Sequence, residues 1–75
     1  MEDKRRYTMQ DLFNNLPISI AELSRRSAVN EVTIARIRDG ESVALRSTAN
    51  RLLRVFSEVY GRPLSLDNVD FPVRG

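Results

Sequence analysis

The stretch Ser19–Gly40, SIAELSRRSAVNEVTIARIRDG, decides how this chain of 75 residues folds, because it encodes two short helices and the turn between them. Ser19 followed by Glu22 has the spacing of a capping box: the serine oxygen takes a free amide of the first turn, and the glutamate reaches back to the serine amide. Ile18 and Leu23 flank that cap as a hydrophobic staple. The spacing predicts a helix from Ser19 to about Ser27. After Ala28 and Val29, Asn30 caps a second helix over 31–39 that carries Ile34 and Ile37 on its inner side. Leu23, Val29, Ile34 and Ile37 can then meet inside the angle between the two helices, the pattern of a helix-turn-helix.

On the N-terminal side, Thr8 caps a helix of about Met9 to Asn15. Met9, Leu12, Phe13 and Leu16 form its inward stripe, and Asp11 sits near the positive end of its dipole. Phe13 belongs to that stripe and reads as a core residue rather than a base-stacking platform. On the C-terminal side, Val43 and Leu45 are expected to tuck against the core, and Ser47 or Thr48 to cap the longest helix, Ala49 to Tyr60. Ala49, Leu52, Leu53, Phe56, Val59 and Tyr60 fall at helical spacing, with Asn50, Arg51, Arg54, Ser57 and Glu58 outside. Gly61 is a C-cap signal and Pro63 prevents continuation. The tail DFPVRG is extended by its proline, so Phe71 and Val73 either fold back or meet a partner.

Composition narrows the function. A single domain of this size hides only about 60% of the surface its unfolded chain exposes, which leaves little room for a deep enzyme cleft. There is no cysteine and no histidine, so disulfides and thiolate or imidazole metal sites are excluded. The same absence removes the commonest nucleophile and the commonest general base near neutral pH. No Gly-rich phosphate loop, GxSxG or HExxH is present. An enzyme, a cofactor and a metal are therefore not expected. No apolar run approaches the ~20 residues needed to cross a bilayer, and no secretory segment follows MEDKRRY, so a cytoplasmic chain without a membrane partner is expected.

The formal net charge is only +2, but eleven of the twelve basic residues are arginine. Between Ser19 and Arg54 seven arginines face four carboxylates, Glu22, Glu31, Asp39 and Glu41. Arginine suits bidentate contact with phosphate or guanine. A solvated surface accounts for the same charges by composition alone. Lys4, Arg5 and Arg6 form three consecutive cations in a flexible basic arm over residues 1–6. Such arms lie along phosphates in several DNA-binding folds, or simply solubilise.

The run LSRRSAVNEVTIARIRDG, Leu23–Gly40, resembles the DNA-binding helix-turn-helix of the lambda-repressor and Cro-like (XRE) regulators. Leu23, Val29, Ile34 and Ile37 stand at that family's apolar spacing, Thr33 and Ile34 form its Thr-Ile pair, and Gly40 closes the motif. Departures are Ser24 for alanine, Ala28 for glycine, Ile20 for glutamine and Arg38 for glutamate. Ala28 costs roughly a kilocalorie or more if its φ is positive.

The resemblance implies an all-α, compact four- to five-helix lambda-repressor-like domain over 7–70, with 71–75 as a C-terminal tail. Pro63–Val69 resembles the family's short final helix, capped by Ser65. It implies double-stranded DNA as partner, the 31–39 helix in the major groove, and operator occupancy as the mode of regulation, repression by default. A homodimer, at least on DNA, is expected, with the last segment as its candidate pairing surface. Base contacts are expected from Asn30, Glu31, Val32, Ala35 and Arg36, and phosphate contacts from Ser19, Arg25, Thr33, Arg38, Ser42, Arg46, Ser47 and Thr48. Asn30 serves equally as a helix cap, and Glu31 suits a helix N-terminus for dipole reasons alone. The alternative is an interaction module of the same fold, antitoxin-like or a regulator subunit, that docks a protein with weak or no DNA binding.

Overall fold

The computed structural model describes residues 7–74; the basic arm at 1–6 lies outside them. The chain runs β1 (Tyr7–Thr8), α1 (Met9–Asn14), α2 (Ile20–Ser27), α3 (Glu31–Arg38), β2 (Ala44–Leu45), α4 (Arg46–Tyr60), β3 (Val69–Asp70) and β4 (Val73–Arg74). The first three helices begin where side-chain caps set them. Thr8 Oγ1 accepts from the Asp11 amide at 3.0 Å, Ser19 Oγ from the Glu22 amide at 3.0 Å, and Asn30 Oδ1 from the Val32 amide at 2.8 Å. Each removes one orphan donor from a first turn.

The reciprocal half of the expected capping box is replaced by something else. The Glu22 carboxylate turns along its own helix to Arg26, 2.8 Å away, and to Arg25. The turn between α2 and α3 is made by Ala28, which takes the left-handed conformation at φ 62°, ψ 28° and donates its N–H to the Ser24 carbonyl at 2.9 Å. A Cβ in that region crowds the following carbonyl at a cost of about 1–2 kcal/mol. Ala28→Gly is accordingly expected to raise stability by about 1 kcal/mol, after the extra entropy of glycine in the unfolded chain is subtracted. A thermal melt reads this as a rise of about 4–8 °C. An unchanged or lower midpoint contradicts strain at this turn.

Leu23, Ile34, Ile37, Leu52, Leu53 and Phe56 are the centre of the core, and Leu12, Phe13 and Val29 close it from the sides. Phe13 meets Phe56 edge to face, ring centroids 5.4 Å apart and planes at 90°, the preferred arrangement of two ring quadrupoles. α4 packs on α2 and buries Val55 together with Ala49, Leu52, Leu53 and Phe56 of the expected stripe, while Val59 and Tyr60 are half-buried. Ser57, expected outside, is half-buried: its hydroxyl lies 2.8 Å from the Leu53 carbonyl oxygen and accepts the Leu64 amide at 2.9 Å. α4 ends at Gly61, φ 68°, where the amides of Gly61 and Arg62 both return to the Ser57 carbonyl.

Four expectations are corrected. The fold is mostly helical rather than all-α, because two pairs of short parallel strands join distant parts of the chain: β1 with β3 and β2 with β4. The short final helix at Pro63–Val69 is a single turn. There Ser65 Oγ accepts from the Asp67 amide, Asn68 Oδ1 accepts from the Ser65 amide, and Asn68 Nδ2 donates to the Pro63 carbonyl. Such local side-chain bonds compete with helix propagation. Neither Ser47 nor Thr48 caps α4; the cap position is Leu45, which makes no side-chain cap bond, and both hydroxyl residues lie inside the first turn. Val43 and Leu45 are exposed rather than tucked in, and Ala44 between them is the residue buried.

Candidate functional site

α2 and α3 pack against each other across the Ala28 turn, and the burial of Ile34 and Ile37 fixes which side of α3 faces outward. That outward side carries Glu31, Val32, Thr33 and Arg36, all exposed, with Ala35 half-buried beside them. Val32 is 58% exposed. Arg36 is exposed and makes no ion pair or side-chain hydrogen bond among the described residues. Asn30 is engaged through its Oδ1 as the cap of α3 and remains exposed.

The residues predicted as anion contacts differ in their surroundings. Arg25 is paired with Glu22. Arg38 is paired with Asp39 through two hydrogen bonds of 2.9 and 3.3 Å. The Ser19 oxygen is occupied by the Glu22 amide. Ser42, Arg46 and Ser47 are exposed in the loop after α3 and in the first turn of α4, with Thr48 half-buried behind them. Thr33 is exposed on α3. The predicted residues therefore lie at the N-cap and in the last turn of α2, along α3 and its cap, in the loop after it, and in the first turn of α4.

Electrostatics in this region is local. The Arg26 guanidinium, hydrogen-bonded to Glu22, holds that carboxyl below its ordinary value, opposed by desolvation and helped by the charge of Arg25. Arg38 lowers Asp39 in the same way, and Asp39 raises Arg38. Because both carboxyls titrate lower in the folded chain, their stabilisation is present above the unfolded carboxylate pKa. It is lost as pH falls through the depressed folded values. Two of the three arginines in α2 and α3 that were predicted as contacts thus have a carboxylate partner, Arg25 sharing Glu22 with Arg26, while Arg36 has none among the described residues.

The exposed large hydrophobic residues among those described are Val32, Val43 and Leu45, all in α3 or the loop that follows it. The run RDGESVAL hides this, since periodicity assigns Val43 and Leu45 inward while Ala44 takes the buried place. Tyr7 and Arg62 form a second cluster, with the guanidinium 5.4 Å from the ring centroid and bonded to the phenol oxygen. They border a cavity of about 170 Å³ with Asp11, Leu12, Asn15, Tyr60 and Leu64. The Tyr60 hydroxyl donates to the Leu12 carbonyl there. No helix among the described residues is long and apolar enough to cross a membrane. No family model, curated protein or solved structure matches the chain.

Proposed function

We propose that the chain is a sequence-specific double-stranded DNA-binding domain of a transcriptional regulator, most simply a repressor, that inserts α3 into the major groove. The observation that carries this reading is the outward side of α3. A short helix, held against α2 by a left-handed turn, presents Glu31, Val32, Thr33 and the unpaired Arg36 on the side away from the core. The major groove admits one helix, and its base edges ask for these chemistries. Arg36 donates two hydrogen bonds to guanine O6 and N7, Glu31 accepts from a cytosine amino group, and Val32 or Ala35 packs on a thymine methyl. Asn30 stands at the groove edge. Phosphate contacts come from Thr33, Ser42, Arg46, Ser47 and Thr48, and from Ser19 through the amide end of α2. Arg25 and Arg38 reach phosphate only by exchanging a carboxylate partner for it. The resemblance to lambda-repressor and Cro-like regulators supports a homodimer on DNA.

Duplex affinity measured against salt tests the electrostatic part. Log K is expected to fall linearly with log salt, with a slope of about −0.9 for each phosphate neutralised. No binding to duplex DNA at low salt contradicts the proposal.

A second reading draws on a different observation. Glu31 and Asp39 balance Arg36 and Arg38 in charge, and Val32, Val43 and Leu45 expose apolar surface in the same part of the chain. A near-neutral, partly apolar surface fits a protein partner better than phosphate. On that reading the fold is an interaction module, and Val32→Asp abolishes partner binding while Arg36→Ala changes it little.

A further inference from the structure

Segment 69–74 is a strap that ties the two ends of the helical unit together. Its side chains alternate: Val69 and Phe71 are buried and Val73 packs half-buried on the core, while Asp70, Pro72 and Arg74 are exposed. At its start, Val69 pairs with Tyr7 and Asp70 with Thr8, just before α1. At its end, Val73 pairs with Ala44 and Arg74 with Leu45, just before α4. Both ladders are parallel and each is two residues long.

The second ladder matters because the loop it holds has few other anchors. The Glu41 amide fixes the beginning of that loop, donating to the Arg36 carbonyl at 2.8 Å. Beyond it, Val43 and Leu45 point into solvent and only the small side chain of Ala44 is buried. Leu45 also occupies the cap position of α4 without offering a side-chain bond. Strand pairing with β4 is what sets the course of the chain from Ser42 into the first turn of α4.

We infer that the strap is a positioning element of the proposed DNA interface, and that Val73, by docking β4 on the core beside Ala44, holds Ser42, Arg46 and Ser47 where they meet phosphate. This rests on the DNA-binding reading. Val73 itself touches no nucleic acid; it acts through the loop.

The test pairs amide hydrogen exchange with duplex affinity in Val73→Gly, which removes the docking side chain without altering charge, and in Val73→Ile, which keeps it. In Val73→Gly, exchange over residues 43–46 is expected to accelerate while the amides of α2 and α3 keep their protection. Affinity falls about tenfold and the salt slope becomes shallower by about one, as a phosphate contact is lost. Val73→Ile matches the unaltered protein in both. A general loss of stability accelerates exchange in α2 and α3 as well as at 43–46 and leaves the salt slope of the folded fraction unchanged, so the exchange pattern and the slope separate positioning from folding. Wild-type exchange at 43–46 in Val73→Gly overturns the inference, as does accelerated exchange with unchanged affinity and slope. Failure of the unaltered protein to bind any duplex overturns it together with the DNA-binding reading; the other two outcomes leave that reading standing.

Discussion

Phe56→Ala is expected to destabilise the domain by about 3–5 kcal/mol, the cost of deleting a buried aromatic ring and leaving a cavity in a core that collapses only partly. Phe56 is fully buried on α4, stands edge-on to Phe13 of α1 and lies 6.3 Å from the ring of Tyr60. It therefore joins the first helix of the chain to the last. Small domains have total stabilities of roughly 5–15 kcal/mol, and a short chain sits toward the lower end. Chemical denaturation followed by circular dichroism is expected to show most of the cooperative transition lost at room temperature. Binding is lost with it, since α3 owes its orientation to Ile34 and Ile37 seated in the same core. A change under about 1.5 kcal/mol, the range of volume-conserving swaps, contradicts this placement of Phe56 at the centre.

Arg36→Ala has the largest expected effect on function. Arg36 is exposed on α3 and free of the carboxylate pairing that engages Arg25 and Arg38. Removing a bidentate contact to guanine costs about 1–3 kcal/mol of discrimination between the right base pair and a wrong one. The measurement is affinity for a specific duplex and for random duplex, with and without the substitution, at one fixed salt concentration. Affinity for the specific duplex is expected to fall about 5- to 150-fold, and affinity for random DNA to change far less. Equal losses on both make Arg36 a phosphate contact, and no loss on either favours the protein-interaction reading. Folding is a poor explanation for any effect, because an exposed, unpaired side chain on a helix contributes little to stability.

The two helices α2 and α3 and the turn between them were legible because their signals are local and chemical. Thr8, Ser19 and Asn30 each cap the helix that follows, and the apolar spacing of Leu23, Ile34 and Ile37 identifies the buried side of α2 and α3. Ala28 was legible as a question, since a glycine position filled by alanine is a strain only if φ is positive, and it is. What the residues concealed depended on partners far along the chain. Val69 to Arg74 alternates buried and exposed positions with the period of a strand, yet the sequence assigns Val69 to a short final helix and, because of Pro72, the residues after it to an extended tail. Only the distant Tyr7–Thr8 and Ala44–Leu45 supply the edges it pairs with. The same long-range pairing starts α4 at Arg46, ahead of the two hydroxyl residues that local capping rules favour. Glu22 misled in the opposite sense: its spacing from Ser19 fits a capping box, but Arg25 and Arg26 lie one turn on and attract its charge more strongly than a neutral amide does.

For the candidate site, position was legible and availability was not. Residue type and spacing placed Arg25, Arg36 and Arg38 in one motif, but which of them keeps a free guanidinium depends on Glu22 and Asp39. Those pairings follow from side-chain geometry rather than from the pattern. The exposure of Val43 and Leu45 likewise depends on the course of one loop.

The central claim is tested most directly by selecting bound duplexes from a random-sequence pool with the whole chain. DNA recognition by α3 predicts enrichment of one consensus, guanine-containing at the step read by Arg36. If the chain binds as a dimer, that consensus is two-fold symmetric with half-sites about 34 Å, or one helical turn, apart. Recovery of an unenriched pool at low salt, with the chain folded, contradicts the claim and moves the function of α3 to a protein partner.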